Sequence, residues 1–179
     1  MAPFPDDRLL ADDYLGDLQT RPMDDIRAMR TECQEAEVGL SYVRRLAQGR
    51  IDIVAAELRR RAEGGPPGDL ASLIEQLPQI LAEHTRPPGP GRLPTLLAPS
   101  QDQEAEAASE LDAIIDAGRL AALPELTDDE VRGLVDELTE YERSMSERRH
   151  LLHERIDALQ AELTRRYKTG EASVESLLR

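Results

Sequence analysis

The chain has 179 residues, a formal charge of −14 and 3% aromatic side chains, with no Trp and a single Phe. So small an aromatic supply excludes a thick globular core or a β-sandwich, and plentiful Ala, Leu, Glu and Arg favour helix. The charge excludes a general nucleic-acid binder, whose affinity comes from neutralising phosphates.

The charge is uneven, however: nine of the 22 basic residues lie in 21–61 and eight in 132–168. Two arginine-rich segments in an acidic chain suit a basic protein partner together with a small anion, and direct DNA binding is not expected. Cys33 is the single cysteine, so no intramolecular disulfide can form and nothing points to an oxidising compartment. The N-terminal MAPFPDDRLLADDYLGDL carries acids where a signal peptide needs a basic start and a long apolar run. No stretch approaches a membrane span. A cytoplasmic protein without membrane association is expected.

Taken in order, residues 1–20 form an acidic arm with apolar anchors at Leu9, Leu10, Tyr14, Leu15 and Leu18. It is either a short helix docked on the main body or a partly disordered extension. Residues 21–63 read as the first long helix, opening near Pro22 with Asp24 and Asp25 complementing the dipole. Gly39 and Gly49 are its weak points, and Gly64-Gly65-Pro66-Pro67-Gly68 ends it. Residues 64–126 are a connector rich in Pro and Gly. Within it Asp69–His84 has the apolar spacing of a short helix, kinked or split at Pro78, and Gln101–Ala117 carries a stripe of Leu111, Ile114 and Ile115. A capping box, Thr127-Asp128-Asp129-Glu130, opens the second long helix, residues 127–168, and Gly170 stops it. Residues 169–179 are a tail or a short helical turn. The expectation is one all-α domain: a long antiparallel helical hairpin, a coiled coil, with short connecting and docked helices.

The two long helices are copies of each other. Glu37–Arg61 matches Glu142–Arg166 at twelve of 25 positions without a gap, and the register extends upstream through Asp24/Asp129, Arg27/Arg132 and Glu35/Glu140. In the first copy Ile26, Met29, Cys33, Ala36, Leu40, Val43, Ala47, Ile51, Val54 and Leu58 form a heptad-like seam. The second gives Val131, Leu134, Leu138, Tyr141, Met145, Arg148, Leu152, Ile156, Leu159 and Leu163, with Arg148 the odd member. One extra step of four, from Ala47 to Ile51 and from Leu152 to Ile156, is a slip in phase.

Beside each seam runs a polar stripe. Glu37, Ser41, Arg44, Gln48 and Asp52 fall within one narrow arc of the first helix, and Glu142, Ser146, Arg149, His153 and Asp157 within the same arc of the second. Each stripe is about 22 Å long. Flanking positions of coiled coils are routinely solvated Glu, Arg and Gln, so a single stripe would mean little. Repetition of the same types, including a Ser that does nothing for helix stability, points to a ligand. These groups suit a guanine nucleotide. Arg forks onto the O6 and N7 acceptors of guanine, Asp accepts from its N1–H and amino group, and Ser donates to a phosphate oxygen. Arg45, Arg50, Arg148 and Arg155 stand nearby to offset phosphate charge. No Gly-rich phosphate loop is present, so the nucleotide would lie against helix sides.

The doubled spacing E-x3-S-x2-R-x3-Q-x3-D resembles the signature of the RsiG anti-sigma factors of actinobacteria. Glu37, Ser41, Arg44, Gln48 and Asp52 match it in full; Glu142, Ser146, Arg149 and Asp157 match in the second copy, with His153 in the Gln place. The resemblance implies cyclic di-GMP as signalling ligand, bound as a partially intercalated pair on an antiparallel coiled coil, and no prosthetic group. It further implies that the loaded protein holds a flagellar-type sigma factor of the WhiG, sporulation-linked kind away from RNA polymerase. The alternative is a structural coiled-coil scaffold without a small ligand.

Catalysis is not expected, because no nucleophile has a paired base. His150 and His153 are three apart, but with Glu154 the only adjacent acid they read as a surface pair and not as metal ligands. Cys33 occupies a seam position as a small core residue.

Overall fold

The computed structural model describes residues 7–64 and 109–170. The expected helix at 69–84, the first part of the one at 101–117 and nearly all of the tail lie outside them. The described residues are helices and turns with no strand: α1 (Asp7–Leu10), α2 (Met23–Ala62), helical residues 109–114, α3 (Ala117–Ala121), a 3-10 turn (Leu123–Glu125) and α4 (Asp128–Thr169). The all-α helical hairpin is borne out.

The ends of the long helices follow from their sequence. Asp24 and Asp25 lie in the first turn of α2 and Arg59, Arg60 and Arg61 in its last, each sign where the helix dipole favours it. At α4 the capping box closes reciprocally: the Thr127 backbone N–H donates to Glu130 Oε2 at 2.7 Å, and the Glu130 N–H donates to Thr127 Oγ1 at 3.3 Å. Those bonds from Thr127 hold the Glu130 carboxyl below its ordinary range. Gly64 and Gly170 follow the two helices with φ of +71° and +76°, a left-handed turn that a side chain would strain.

The chain divides into two compact units, and α2 and α4 each contribute to both. The first unit joins Met1–Ser41 with Ser146–Arg179. Its helices run antiparallel: Arg27 Nη2 donates to the Tyr167 hydroxyl at 2.5 Å and Arg30 Nη1 to Gln160 Oε1 at 2.6 Å. Ile26, Cys33, Ala36, Leu40, Leu152, Leu159 and Leu163 are buried along the seam. The arm docks here through α1 and the turns after it. Leu9 and Tyr14 are buried, the Tyr14 hydroxyl donates to the Met29 carbonyl and to Glu32, and Arg8 pairs with Glu32. Burial, first of all, pushes the Tyr14 hydroxyl well above its usual range, so it stays protonated.

Arg148, the charged member of the seam, has a structural reason. It pairs with Asp7 of α1 at 3.2 Å, so the arm supplies a counter-charge to it.

The second unit is Tyr42–Met145. Ala47 and Val54 of α2 pack with Val131, Leu134 and Leu138 of α4, and the core is completed by Leu111, Ile115 and Leu123. Ile51 and, in the first unit, Ile156 are only partly buried. Both sit at the phase slip, where a step of four from an already shifted position turns the side chain off the seam.

Candidate functional site

The ten stripe residues divide between the two units, and within each unit the copies meet. In the first unit Glu37 of α2 is the hub. Its Oε1 accepts from Arg149 Nε at 2.6 Å and from Ser41 Oγ at 2.8 Å, and lies 3.3 Å from His153 Nε2. In the second unit Glu142 of α4 is the hub, its Oε1 accepting from Arg44 Nη1 at 3.2 Å and Gln48 Nε2 at 3.1 Å. The two sets correspond residue for residue at the 105-position offset: Glu37 with Glu142, Arg149 with Arg44, His153 with Gln48. Each half-site therefore takes its carboxylate from one copy and its Arg and amide or imidazole from the other.

Electrostatics follow from partial burial. The Glu37 side chain is 18% exposed, and burial alone would raise its carboxyl. The hydrogen bonds from Arg149 and Ser41, with the Arg149 charge, outweigh that and hold it below the ordinary carboxylate range. It stays ionised near neutral pH. Arg44 and Arg149 are about a third exposed, so each fork keeps a face open to solvent. Arg44 Nε is buried and finds no acceptor among the described residues.

Such half-exposed pairs hold charges in place more than they hold the fold together. Glu37→Ala and Glu142→Ala each lower stability by only about 1 kcal/mol in urea unfolding, because water takes over the released arginine. A loss above about 3 kcal/mol would show the pairs to be structural.

Three stripe members remain. Asp52 is half-buried in the second unit, Ser146 half-buried in the first, and Asp157 exposed. Asp157 borders an open hollow of about 550 Å³ lined also by Gln160, Thr164, Arg165 and Lys168. A carboxylate beside two cationic side chains can take the hydrogen-bond donors of a base at one point and an anion at the next.

Three of the four arginines expected to offset phosphate charge are employed elsewhere. Arg50 donates to the Ile115 carbonyl at 2.7 Å and to Asp112, Arg155 donates to the Ala11 carbonyl at 3.3 Å, and Arg148 holds Asp7. They anchor the segments that precede each long helix. Arg45 is exposed. His150 pairs with Glu154 at 3.5 Å while His153 faces Glu37, so the two imidazoles are turned to different partners.

A second reciprocal pair of contacts went unassigned in the sequence. Arg61, on the last turn of α2, donates to Glu57, to the Leu123 and Leu126 carbonyls and to Asp128. Arg166, on the last turn of α4, donates to Glu162 and to the Leu18, Gln19 and Arg21 carbonyls. Leu18 and Leu123, like Arg21 and Leu126, are again 105 apart. The duplication thus reaches back to the docked segments, where Asp7/Asp112, Leu15/Leu120 and Leu18/Leu123 are the identities that could have revealed it.

The RsiG-like family model matches residues 12–81 and 117–179, most of the chain and both stripes. No curated protein matches it.

Proposed function

The chain belongs to the RsiG-like family of anti-sigma factors, and from that premise we propose that it binds cyclic di-GMP and, so loaded, sequesters a flagellar-type sigma factor of the WhiG kind. The observation that carries the ligand reading is the reciprocal pair of half-sites, Glu37 with Arg149 and Glu142 with Arg44. A solvated salt-bridge stripe has no need of the same Ser, Arg and Asp in both copies. One molecule of a nucleotide pair engages each half-site.

Each carboxylate holds its arginine in a fixed orientation. Guanine offers O6 and N7 to that arginine and its N1–H and amino group to Asp52 or Asp157, a donor pattern adenine lacks. Two cyclic dinucleotides bring four phosphodiester charges, which Arg44, Arg149 and the exposed Arg45 meet in part. The ligand drives the switch to the extent that it binds the sigma-competent arrangement more tightly than the free one. The acidic remainder of the chain complements basic, DNA-facing parts of a sigma factor. Anti-sigma factors of this family are generally non-enzymatic, and no described helix is long and apolar enough to cross a membrane.

Affinity capture of the sigma factor separates the readings. Retention on the immobilised protein with cyclic di-GMP, and loss without it, is the expected result. Equal retention in both conditions favours an anti-sigma factor that needs no nucleotide, and no retention in either favours a scaffold.

A further inference from the structure

We propose that the two half-sites are unequal, and that His153 makes the one in the first unit grip an anionic phosphodiester more tightly as pH falls. The inference rests on the nucleotide-binding reading and adds a proton to it.

The geometry is matched but the chemistry is not. In the second unit Gln48 reaches Glu142 at 3.1 Å with an amide that is neutral at every pH. In the first, His153 Nε2 occupies the corresponding place 3.3 Å from Glu37. Arg44 pairs with Glu142 and Gln48 adds no charge, just as Arg149 pairs with Glu37. Once protonated, His153 adds one positive charge to its half-site, which Gln48 cannot do for the other.

The charged groups around His153 can be enumerated. From α2 it faces Glu37. On its own helix Arg149 lies one turn before it and Asp157 one turn after, while His150 and Glu154 pair on the adjacent face. From α1, Asp7 is engaged by Arg148. Glu37 is kept ionised by its own hydrogen bonds, and an imidazole can gain a proton where an amide such as Gln48 cannot. The side chain is 42% exposed, so solvent supplies the proton directly. A phosphodiester seated against Arg149 favours the imidazolium, and by linkage the imidazolium favours the phosphodiester. The sign is fixed: binding takes up a proton, and affinity rises as pH falls across the imidazole range.

Calorimetric titration of cyclic di-GMP into the full chain at pH 6, 7 and 8, in buffers of differing ionisation enthalpy, reads affinity and proton uptake together. Toward low pH the wild-type protein should bind up to about tenfold more tightly at the site that changes, the equivalent of one pKa unit, and take up at most about half a proton, the largest uptake a one-unit shift allows. His153→Gln should lose both the slope and the proton uptake. Gln48→His should add a second uptake of similar size. Binding without pH dependence overturns this inference and leaves nucleotide binding standing. A slope that survives His153→Gln assigns the proton elsewhere and overturns it too. No binding of the wild type at any pH overturns both.

Discussion

Arg166→Ala and Arg61→Ala each lower stability by about 3 kcal/mol, seen as a fall in the urea midpoint at unchanged slope. Each side chain ties a helix end to backbone carbonyls of the segment docked on it. The Arg166 guanidinium, 7% exposed as a residue, holds the carbonyls of Leu18, Gln19 and Arg21 at 2.6–3.0 Å and Glu162 at 2.7 Å. Its loss orphans three acceptors and weakens the compensation of a buried carboxylate, and both effects cost free energy. Arg61 does the same for Leu123 and Leu126 with the fully buried Glu57 behind it. Lys at either position should recover less than half the loss, because a single ammonium cannot reproduce the fork. A loss under about 1 kcal/mol for both Ala variants contradicts this account of the clamps.

The clamps also set an acid limit. Arg165, then Arg166, hold the Glu162 carboxyl down at about 2, against an ordinary 4.5. A depressed carboxylate contributes stability that is complete above its unfolded value and fades as pH falls toward the folded one. The wild type should therefore lose stability progressively from about pH 4.5 to pH 2, and Glu162→Gln should flatten that part of the profile while lowering stability at pH 7.

The second large effect concerns the ligand. Asp52→Ala combined with Asp157→Ala should reduce cyclic di-GMP affinity by at least about 100-fold, since each acid supplies paired acceptors worth roughly 1–3 kcal/mol of base discrimination. Helix content by circular dichroism should not change, because Asp157 is exposed and Asp52 lies off the seam. Binding that persists in the double variant shows that these acids do not read the base.

The hairpin was legible because its seam is: apolar spacing along one helix specifies which face is buried, and the spacing was written twice. Its flaw was visible too, Arg148 being the odd member of the seam, but the Asp7 carboxylate that pairs with it was not. The site was legible only by face. Spacing on a helix places Glu37, Ser41 and Arg44 in one arc but says nothing of which residues oppose them, because that depends on the register between antiparallel helices. Hence the composite half-sites, Glu37 with Arg149 and Glu142 with Arg44, emerge only in three dimensions. The same ignorance of register hid the partners of Arg50 and Arg155, expected only to offset phosphate charge, which are the backbone of 115 and 11. Glu57/Arg61 and Glu162/Arg166 stood among the repeat identities without a role, since carbonyl acceptors leave no mark in a side-chain pattern.

The most direct test of nucleotide binding by the doubled motif is calorimetric titration of cyclic di-GMP into the wild type and into the Arg44→Ala/Arg149→Ala variant, both at neutral pH. The account predicts saturable heat with about two molecules bound per wild-type chain, one for each half-site, and none with the variant. Absence of heat with the wild type, or an undiminished isotherm with both arginines removed, contradicts it.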